Sequence, residues 1–598
     1  MSGMLHENKQ ARCAGSIMNQ RIGEQEQHQK RAQQSRVKRQ PMKQQGSVRR
    51  RIGWLLLCGL LLVSVGCTTG SDPHDSRSLE EGEQPYDNPI GMRMAYSYSD
   101  IVLPEHEVGD QNFMTRYIKN KLGIVITYDL EARGDEQYNA MMELAIQSHD
   151  LPDVFLVNRE QLVSLVERDM IADLTDLYPQ YATSLLRSIY DATDGKALRE
   201  ATFDGRLYAL PNIGIEADAP MYLWVRQDWM DKLALAPPST LEDIETIARA
   251  FIERDPDGNN VNDTLGIPVD KNLVYHTKTG VYGLDSVFSS FHAFPKSWYR
   301  NEEGYVVYGS IQQEAKQALE LLARWYREGM IDREFMLRKE SGYLLDQNQI
   351  GILFAPWWAP YWPLSATIAK DTKAEWKVYA APRDKDGQFV TRTAPVTDRY
   401  LVVRKDYAHP EAALKLLHLL TALERYKVDE DEATFALRST AQQMGVQLRN
   451  YFPFDLLLDD PDAVIKRHDL LLKALAEQVD AAELGPELRE LYESVLSERD
   501  NPRKDVEAWS MSQAYLLGGE ISKQPMAKVE SLFFDQTPAF KQYWPALQRL
   551  EQDYYLKLLT GELPIEAFDD FVEAWMDNGG RKVMKEASEW AEQQEQQQ

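Results

Sequence analysis

Cysteine is nearly absent from this 598-residue chain, and its placement excludes more than its scarcity does. All three cysteines, Cys13, Cys58 and Cys67, lie in the first 67 residues. The body beyond them has no thiol for a disulfide or a thiolate metal site and must stand on its core alone. Basic charge is also short: the formal charge is −26. With the 12 Lys plus Arg and 3 Asp plus Glu of residues 1–66 set aside, the rest holds 55 against 90, or −35. So acidic a surface argues against nucleic acid and against a polyanion as the obvious ligand, while leaving room for a local basic cleft. There is no Gly-x-x-x-x-Gly-Lys-Ser/Thr phosphate loop, no His-Glu-x-x-His and no Gly-x-Ser-x-Gly. The chain therefore carries no recognisable motor or catalytic motif.

Long apolar runs are missing too, with one exception. Ile52 to Val65 is uncharged for 14 residues, short of the roughly 20 that span a bilayer. It follows Arg49, Arg50 and Arg51 and closes on Gly66-Cys67, the layout of a signal peptide. The ending resembles a bacterial lipoprotein lipobox, whose cysteine becomes diacylated; Val65, Gly66 and Cys67 match, and Ser64 departs from it. A start at Met42 gives the signal ordinary proportions. Residues 1–51, rich in Gln, Arg and Lys, have almost nothing to bury. Thr68 to Pro89 reads as a flexible tether.

From Met92 the pattern is α/β. Strands are expected at Met92 to Tyr98, Ile124 to Leu130 and Asp153 to Asn158, and helices at Asn112 to Leu122 and Glu136 to Gln147, which implies a largely parallel sheet with covered faces. A hairpin is expected around Asp204-Gly205. Thr240 should cap a helix from Leu241 to Ile252. Ser310 and Gln313 have capping-box spacing before a helix from Ile311 to Glu328, with Ala315, Ala318, Leu319, Leu322 and Tyr326 as its buried stripe.

The richest stretch is Asn348 to Leu364. Ile350, Ile352 and Phe354 alternate along a strand that runs into Pro356-Trp-Trp-Ala-Pro-Tyr-Trp-Pro363. Three prolines forbid a helix, so a stiff aromatic loop ends the strand. Trp357, Trp358, Tyr361 and Trp362 offer flat faces suited to the C–H patch of a sugar ring; equally, any one of them can cap a core. Trp298, in a loop, carries the same ambiguity. Asn158, at a strand end, and Asp398, before a returning strand, are candidates for sugar hydroxyl contacts.

Arg226-Gln-Asp228 ends a strand and is followed by Pro237-Pro-Ser-Thr240. Together with Asp150-Leu-Pro-Asp-Val154, Asp204-Gly-Arg-Leu-Tyr208, the Gly351 strand, Tyr400-Leu-Val-Val-Arg-Lys405 and Phe568 to Arg581, the order of segments resembles the family 1 solute-binding proteins of ABC importers. These are the maltose-binding type, here in the large Gram-positive lipoprotein branch. The resemblance covers about Met92 to Trp590 and implies a two-lobed α/β periplasmic-binding-protein-like (type II) fold with a hinge of crossing strands. On it, residues 1–66 are leader, 67–89 tether, 90–220 and 391–450 the first lobe, 221–390 the second, and 451–598 a helical region packing on both. It further implies a monomeric, lipid-anchored receptor outside the cell membrane that hands a carbohydrate to an ABC permease.

One motif remains. Asp255, Asp257, Asn259 and Asp263 place oxygens at alternate positions of Asp255-Pro-Asp-Gly-Asn-Asn-Val-Asn-Asp263, with the Val261 carbonyl between them, as in the first nine positions of a calcium loop. Asn260 replaces the sharp-turn glycine, and Gly266 replaces the closing glutamate. Calcium is the expected ion; a solvated polar turn is the alternative. Two other functions stay open: a calcium-dependent polysaccharide hydrolase or lyase using two carboxylates, and a peptide-binding lipoprotein or sensor partner.

Overall fold

The computed structural model describes residues 79–98, 107, 109–274, 281–338, 343–444, 446–456, 458–532 and 537–597; the leader, Cys67 and the first part of the tether lie outside the described residues. The strands are β1 (Ile90–Tyr98), β2 (Ile124–Arg133), β3 (Val154–Val157), β4 (Thr202–Phe203), β5 (Arg206–Leu207), β6 (Leu210–Pro211), β7 (Tyr222–Arg226), β8 (Trp298–Arg300), β9 (Val306–Tyr308), β10 (Ile352–Ala355), β11 (Trp376–Tyr379), β12 (Val390–Arg392), β13 (Tyr400–Val403) and β14 (Ala527–Val529).

Five of them form one sheet in the order β2-β1-β3-β13-β6. β1, β2 and β3 are parallel, joined by the helices Phe113–Leu122 and Gly134–Ser148; β13 runs against β3. Asn112 starts the first helix by accepting the amides of Met114 and Thr115, and Gly123, at φ 73, stops it. Burial of Met92, Met94, Ile124, Ile126, Val154 and Phe155 against these helices and Ala412–Glu424 makes the first core. The second sheet, β10-β7-β11, is antiparallel throughout. β7 and β10 are buried on both faces: Leu223, Val225, Ile352 and Phe354 enter a second core, while Tyr222, Trp224, Leu353 and Ala355 enter a third. Helices Leu241–Glu253, Gln313–Arg327 and Pro538–Thr560 cover the first of these faces; Ala463–Leu475 and Val506–Gln513 contribute to the other. The mixed α/β architecture, the 204–205 hairpin and the Thr240 cap are as the sequence predicts.

Four readings change. Ser310 is not a cap: it sits in a 3-10 turn, Gly309–Ile311, and donates to the buried carboxylate of Glu551 at 2.8 Å, while the helix begins at Gln313. The buried stripe of that helix ends on Trp325, with Tyr326 beside it half-buried. Trp298 heads a strand instead of lying in a loop. The expected tether is docked over its last stretch: the Lys415 ammonium donates to the carbonyls of Glu81 and Gln84, and Glu80 accepts the amide of Ser184.

Candidate functional site

Strand register decides where the two sheets open. Tyr400 pairs with Val157 on one side and Pro211 on the other, so the C-terminal ends of β3 and β6 lie beside the start of β13. Ala355 pairs with Tyr222, so β10 ends where β7 begins. The chain leaves the first core between Ile213 and Ile215, returns between Phe389 and Tyr400, and leaves again between Leu458 and Val464. The strand ends of both sheets thus point at the crossing segments, the position where open α/β sheets hold ligands.

Asn212 ties the first two crossings together. Its buried carboxamide oxygen (the residue is 2% exposed) accepts from the Thr397 hydroxyl at 2.8 Å and the amides of Asp398 and Arg399 at 2.9 and 3.0 Å, and its nitrogen donates to Asp398 Oδ1 at 2.6 Å. Gly214 lets the backbones touch: a Cβ there would stand 1.9 Å from the Pro395 carbonyl oxygen. The third crossing carries an ionic chain. Arg399 meets Asp455 at 3.0 Å, Arg449 meets Asp455 and Glu424, and Arg425 bonds Asp459 at 2.8 Å and Glu487 at 2.9 Å, with Arg467 on the same two carboxylates. No local pattern marks either device, because Asn212 reaches 186 and 187 positions ahead and Arg425 reaches 34 and 62.

Asn158 stands at the end of β3 and caps the helix Arg159–Glu167, accepting the Gln161 amide at 2.9 Å. Its oxygen serves the cap, and its NH2 is the polar group that the cap does not use. Asp398 is exposed beside it in the second crossing. Arg159, which the sequence did not single out, lays its guanidinium 5.0 Å from the centre of the Phe203 ring and 6.0 Å from that of Tyr400.

The aromatic loop leaves β10 at this same end, and its rings divide. Trp357 is 8% exposed and donates to Asp218 Oδ1 at 2.8 Å, so it bonds to the 3-10 turn Glu216–Asp218 that follows the first crossing. Trp358 and Tyr361 are half-buried against the third core; burial pushes the Tyr361 phenol up. Trp362 is 46% exposed, its ring edge-on to Tyr282. Trp298 is elsewhere: it packs among Tyr308, Phe540 and Trp544 in the second core, with ring centres 4.8 to 5.8 Å apart. Arg226 of the Arg-x-Asp motif is buried at the far end of β7, where it knits Asp228, Asn348 and Asp371 together.

In the Asp255–Asp263 loop the oxygens converge without forming a cage. Asp255 accepts the amides of Gly258 and Asn260; Asn259 Nδ2 donates to Asp257 at 2.8 Å and to Asp263 at 3.1 Å. Burial and a hydrogen bond shared with Asp255 raise the Asp257 carboxyl, whereas that bond lowers Asp255. The hard-oxygen donor set suits calcium, yet an amide nitrogen lies between two of the carboxylates. Among the described residues no group of three or more His, Cys, Asp or Glu is placed to hold a metal. Gly266 has a physical reason to be glycine: a Cβ there would meet the Met330 carbonyl oxygen at 2.0 Å, so no glutamate can close the loop from this position. Gln349 Nε2 instead comes within 3.4 Å of Asp263.

The profile of a family described as bacterial extracellular solute-binding protein matches residues 113–443, more than half of the chain. The polygalacturonan/rhamnogalacturonan-binding protein YtcQ of Bacillus subtilis (strain 168) is 22% identical over 307 residues, 50% of this chain and 56% of that protein. Lipoprotein LipO of the same organism is 22% identical over 468 residues, 76% of this chain and 84% of that protein. The chain thus spans a little over half the length of the first relative and most of the second. The ABC-transporter substrate-binding protein FusA of S. pneumoniae, solved with kestose, superposes with a TM-score of 0.59 at 14% identity, over 85% of this chain and 100% of that one, and an EF-hand mutant of FusA gives the same figures. The likeness shows a two-lobed solute-binding fold. The family is one of solute-binding proteins, YtcQ is a binding protein and FusA an ABC-transporter substrate-binding protein, so the hydrolase or lyase reading is set aside.

Proposed function

We propose, from the premise that this chain belongs to the bacterial extracellular solute-binding proteins, that it captures an oligosaccharide between its strand ends and delivers it to an ABC permease. What supports the reading is the aromatic loop at the end of β10, with Trp362 exposed and Trp358 and Tyr361 half-buried, taken with Asn158 at the end of β3 and exposed Asp398 just before β13. Aromatic faces stack on sugar C–H groups, and the amide and carboxylate pair with hydroxyls. Trp357 contributes from the loop's inner side. YtcQ, which is polygalacturonan/rhamnogalacturonan-binding, and FusA, solved with kestose, support a saccharide as the ligand class. The first lobe is 90–220 with 391–450, the second 221–390, and 451–598 the helical region added to them. A diacylated Cys67 anchors the monomer outside the membrane, in keeping with LipO being a lipoprotein. Calcium sits on Asp255, Asp257, Asn259, Asp263 and the Val261 carbonyl as a structural clip; the EF-hand of FusA supports this.

The test is a thermal-shift screen of residues 79–598 against galacturonan, alginate and fructan oligosaccharides and neutral disaccharides. A ligand at a hundred times its Kd adds about 2.7 kcal/mol. At least one saccharide should raise the Tm; a panel of peptides that does so while every saccharide fails would overturn the reading.

A further inference from the structure

The aromatic loop does not rest on a regular helix. Val506–Gln513 runs into a π-helical turn, Ala514–Gly518, before continuing as Gly519–Ser522. Such a turn offsets its carbonyls from the α-helical ladder and widens the backbone, so groups outside the helix can reach them. Two elements pack against this turn, and one of them bonds a carbonyl of it.

On one side lies Trp357. A Cβ on Gly518 would stand 2.3 Å from the Trp357 carbonyl oxygen, so the loop backbone sits directly on the turn. The Tyr515 ring meets the Trp357 ring edge-on, with centres 5.2 Å apart. On the other side lies His468, on the helix Ala463–Leu475 and 1% exposed. Its Nδ1 is 2.8 Å from the Tyr515 carbonyl oxygen. A Cβ on Gly519 would stand 2.8 Å from the His468 Cβ, so a glycine at 519 is what lets the two segments approach this closely.

A carbonyl can only accept, so Nδ1 must carry a proton. Nε2 lies 3.0 Å from Glu520 Oε2, and Asp469, paired with Lys523 at 2.6 Å, is the next charge along. In the neutral ring Nε2 loses its proton and faces the Glu520 carboxylate. That side chain is 60% exposed and can turn to water, whereas the Tyr515 carbonyl has no such escape. The contact to the turn therefore persists in both charge states, with the proton on Nδ1.

We propose that His468 is a positioning residue for the ligand loop: its Nδ1–H holds the π-turn in place, and the turn, through Gly518 and Tyr515, fixes Trp357. The proposal rests on the reading of this loop as the saccharide contact, but its test needs no saccharide. The protein is labelled with 5-fluorotryptophan, and the Trp357 fluorine resonance is assigned by its loss in Trp357→Phe. His468→Leu should shift or broaden that resonance, His468→Asn, whose amide can donate to the same carbonyl, should restore it, and Glu520→Gln should leave it in place. A resonance that ignores His468→Leu, or that Asn fails to restore, overturns the proposal. Should His468→Leu not fold, long-range 15N–1H correlation on the histidine-labelled parent decides: the neutral His468 ring must be the Nδ1–H tautomer, and an Nε2–H tautomer refutes it. If the resonance behaves as expected while Trp357→Ala leaves saccharide affinity unchanged, the loop's ligand role fails and the positioning role stands.

Discussion

Replacing Asn212 with alanine removes the carboxamide that joins the first two crossings. The change takes the acceptor from the amides of Asp398 and Arg399, leaves the buried Thr397 hydroxyl only its longer bond to the Arg399 carbonyl at 3.3 Å, and leaves Asp398 Oδ1 without its amide donor. A stranded buried donor costs about 1–3 kcal/mol. Asp398 reaches solvent and can be rescued by water, so the total should be about 3–5 kcal/mol, well above the ~1 kcal/mol of an average substitution. Asn212→Asp keeps the accepting oxygen but sets a second carboxylate 2.6 Å from Asp398, so it should also destabilise, and for a different reason. That difference supplies the control. Asn212→Asp combined with Asp398→Asn restores one amide and one carboxylate with their places exchanged, and should recover most of the loss. Urea unfolding of the parent, the singles and the double, read as a double-mutant cycle, measures the coupling. A loss below about 1 kcal/mol for Asn212→Ala, or a double variant no better than the sum of its singles, would refute the argument that this amide pins the hinge.

Other outcomes follow from single sites. Glu551 is 1% exposed and accepts from the Tyr308 and Ser310 hydroxyls, and burial pushes its carboxyl up. An acid raised in the folded state contributes stability at low pH that is lost as pH rises from the ordinary glutamate value through the raised one. The Tm should therefore fall across that window in the parent and fall less in Glu551→Gln. Trp362→Ala should weaken saccharide binding by about 1–3 kcal/mol with the Tm unchanged. Trp357→Ala should cost both, because it also empties a packed site and removes the hydrogen bond to Asp218; equal melting of the two variants would contradict the division of the rings. Chelator should lower the Tm of the parent and leave Asp257→Ala unaffected, since binding only to the folded state stabilises it with the logarithm of free calcium.

The fold was legible in the sequence where local chemistry and hydrophobic period agreed. Asn112, Thr240 and the Asp204-Gly205 turn each fixed an element that the structure contains, because a cap or turn is decided within four residues. Ser310 had the right spacing for a cap and lost to tertiary structure: Glu551, 241 residues later, takes its hydroxyl instead. Trp298 looked like a loop ring because its strand is only three residues long and pairs with β9, too short to give a period. The aromatic loop was visible through its prolines, but which ring faces out was not, since Asp218 and Tyr515, both remote in sequence, decide that Trp357 turns in. Asn212, Arg159 and the arginine–carboxylate chain at the third crossing were invisible for the same reason.

The most direct test is a crystal structure of the protein with the saccharide that raises its Tm most. The account predicts the sugar at the crossing segments, one ring stacked on Trp362 and hydroxyls on Asn158 and Asp398. A saccharide bound on an outer face, away from the ends of β3 and β10, would contradict it.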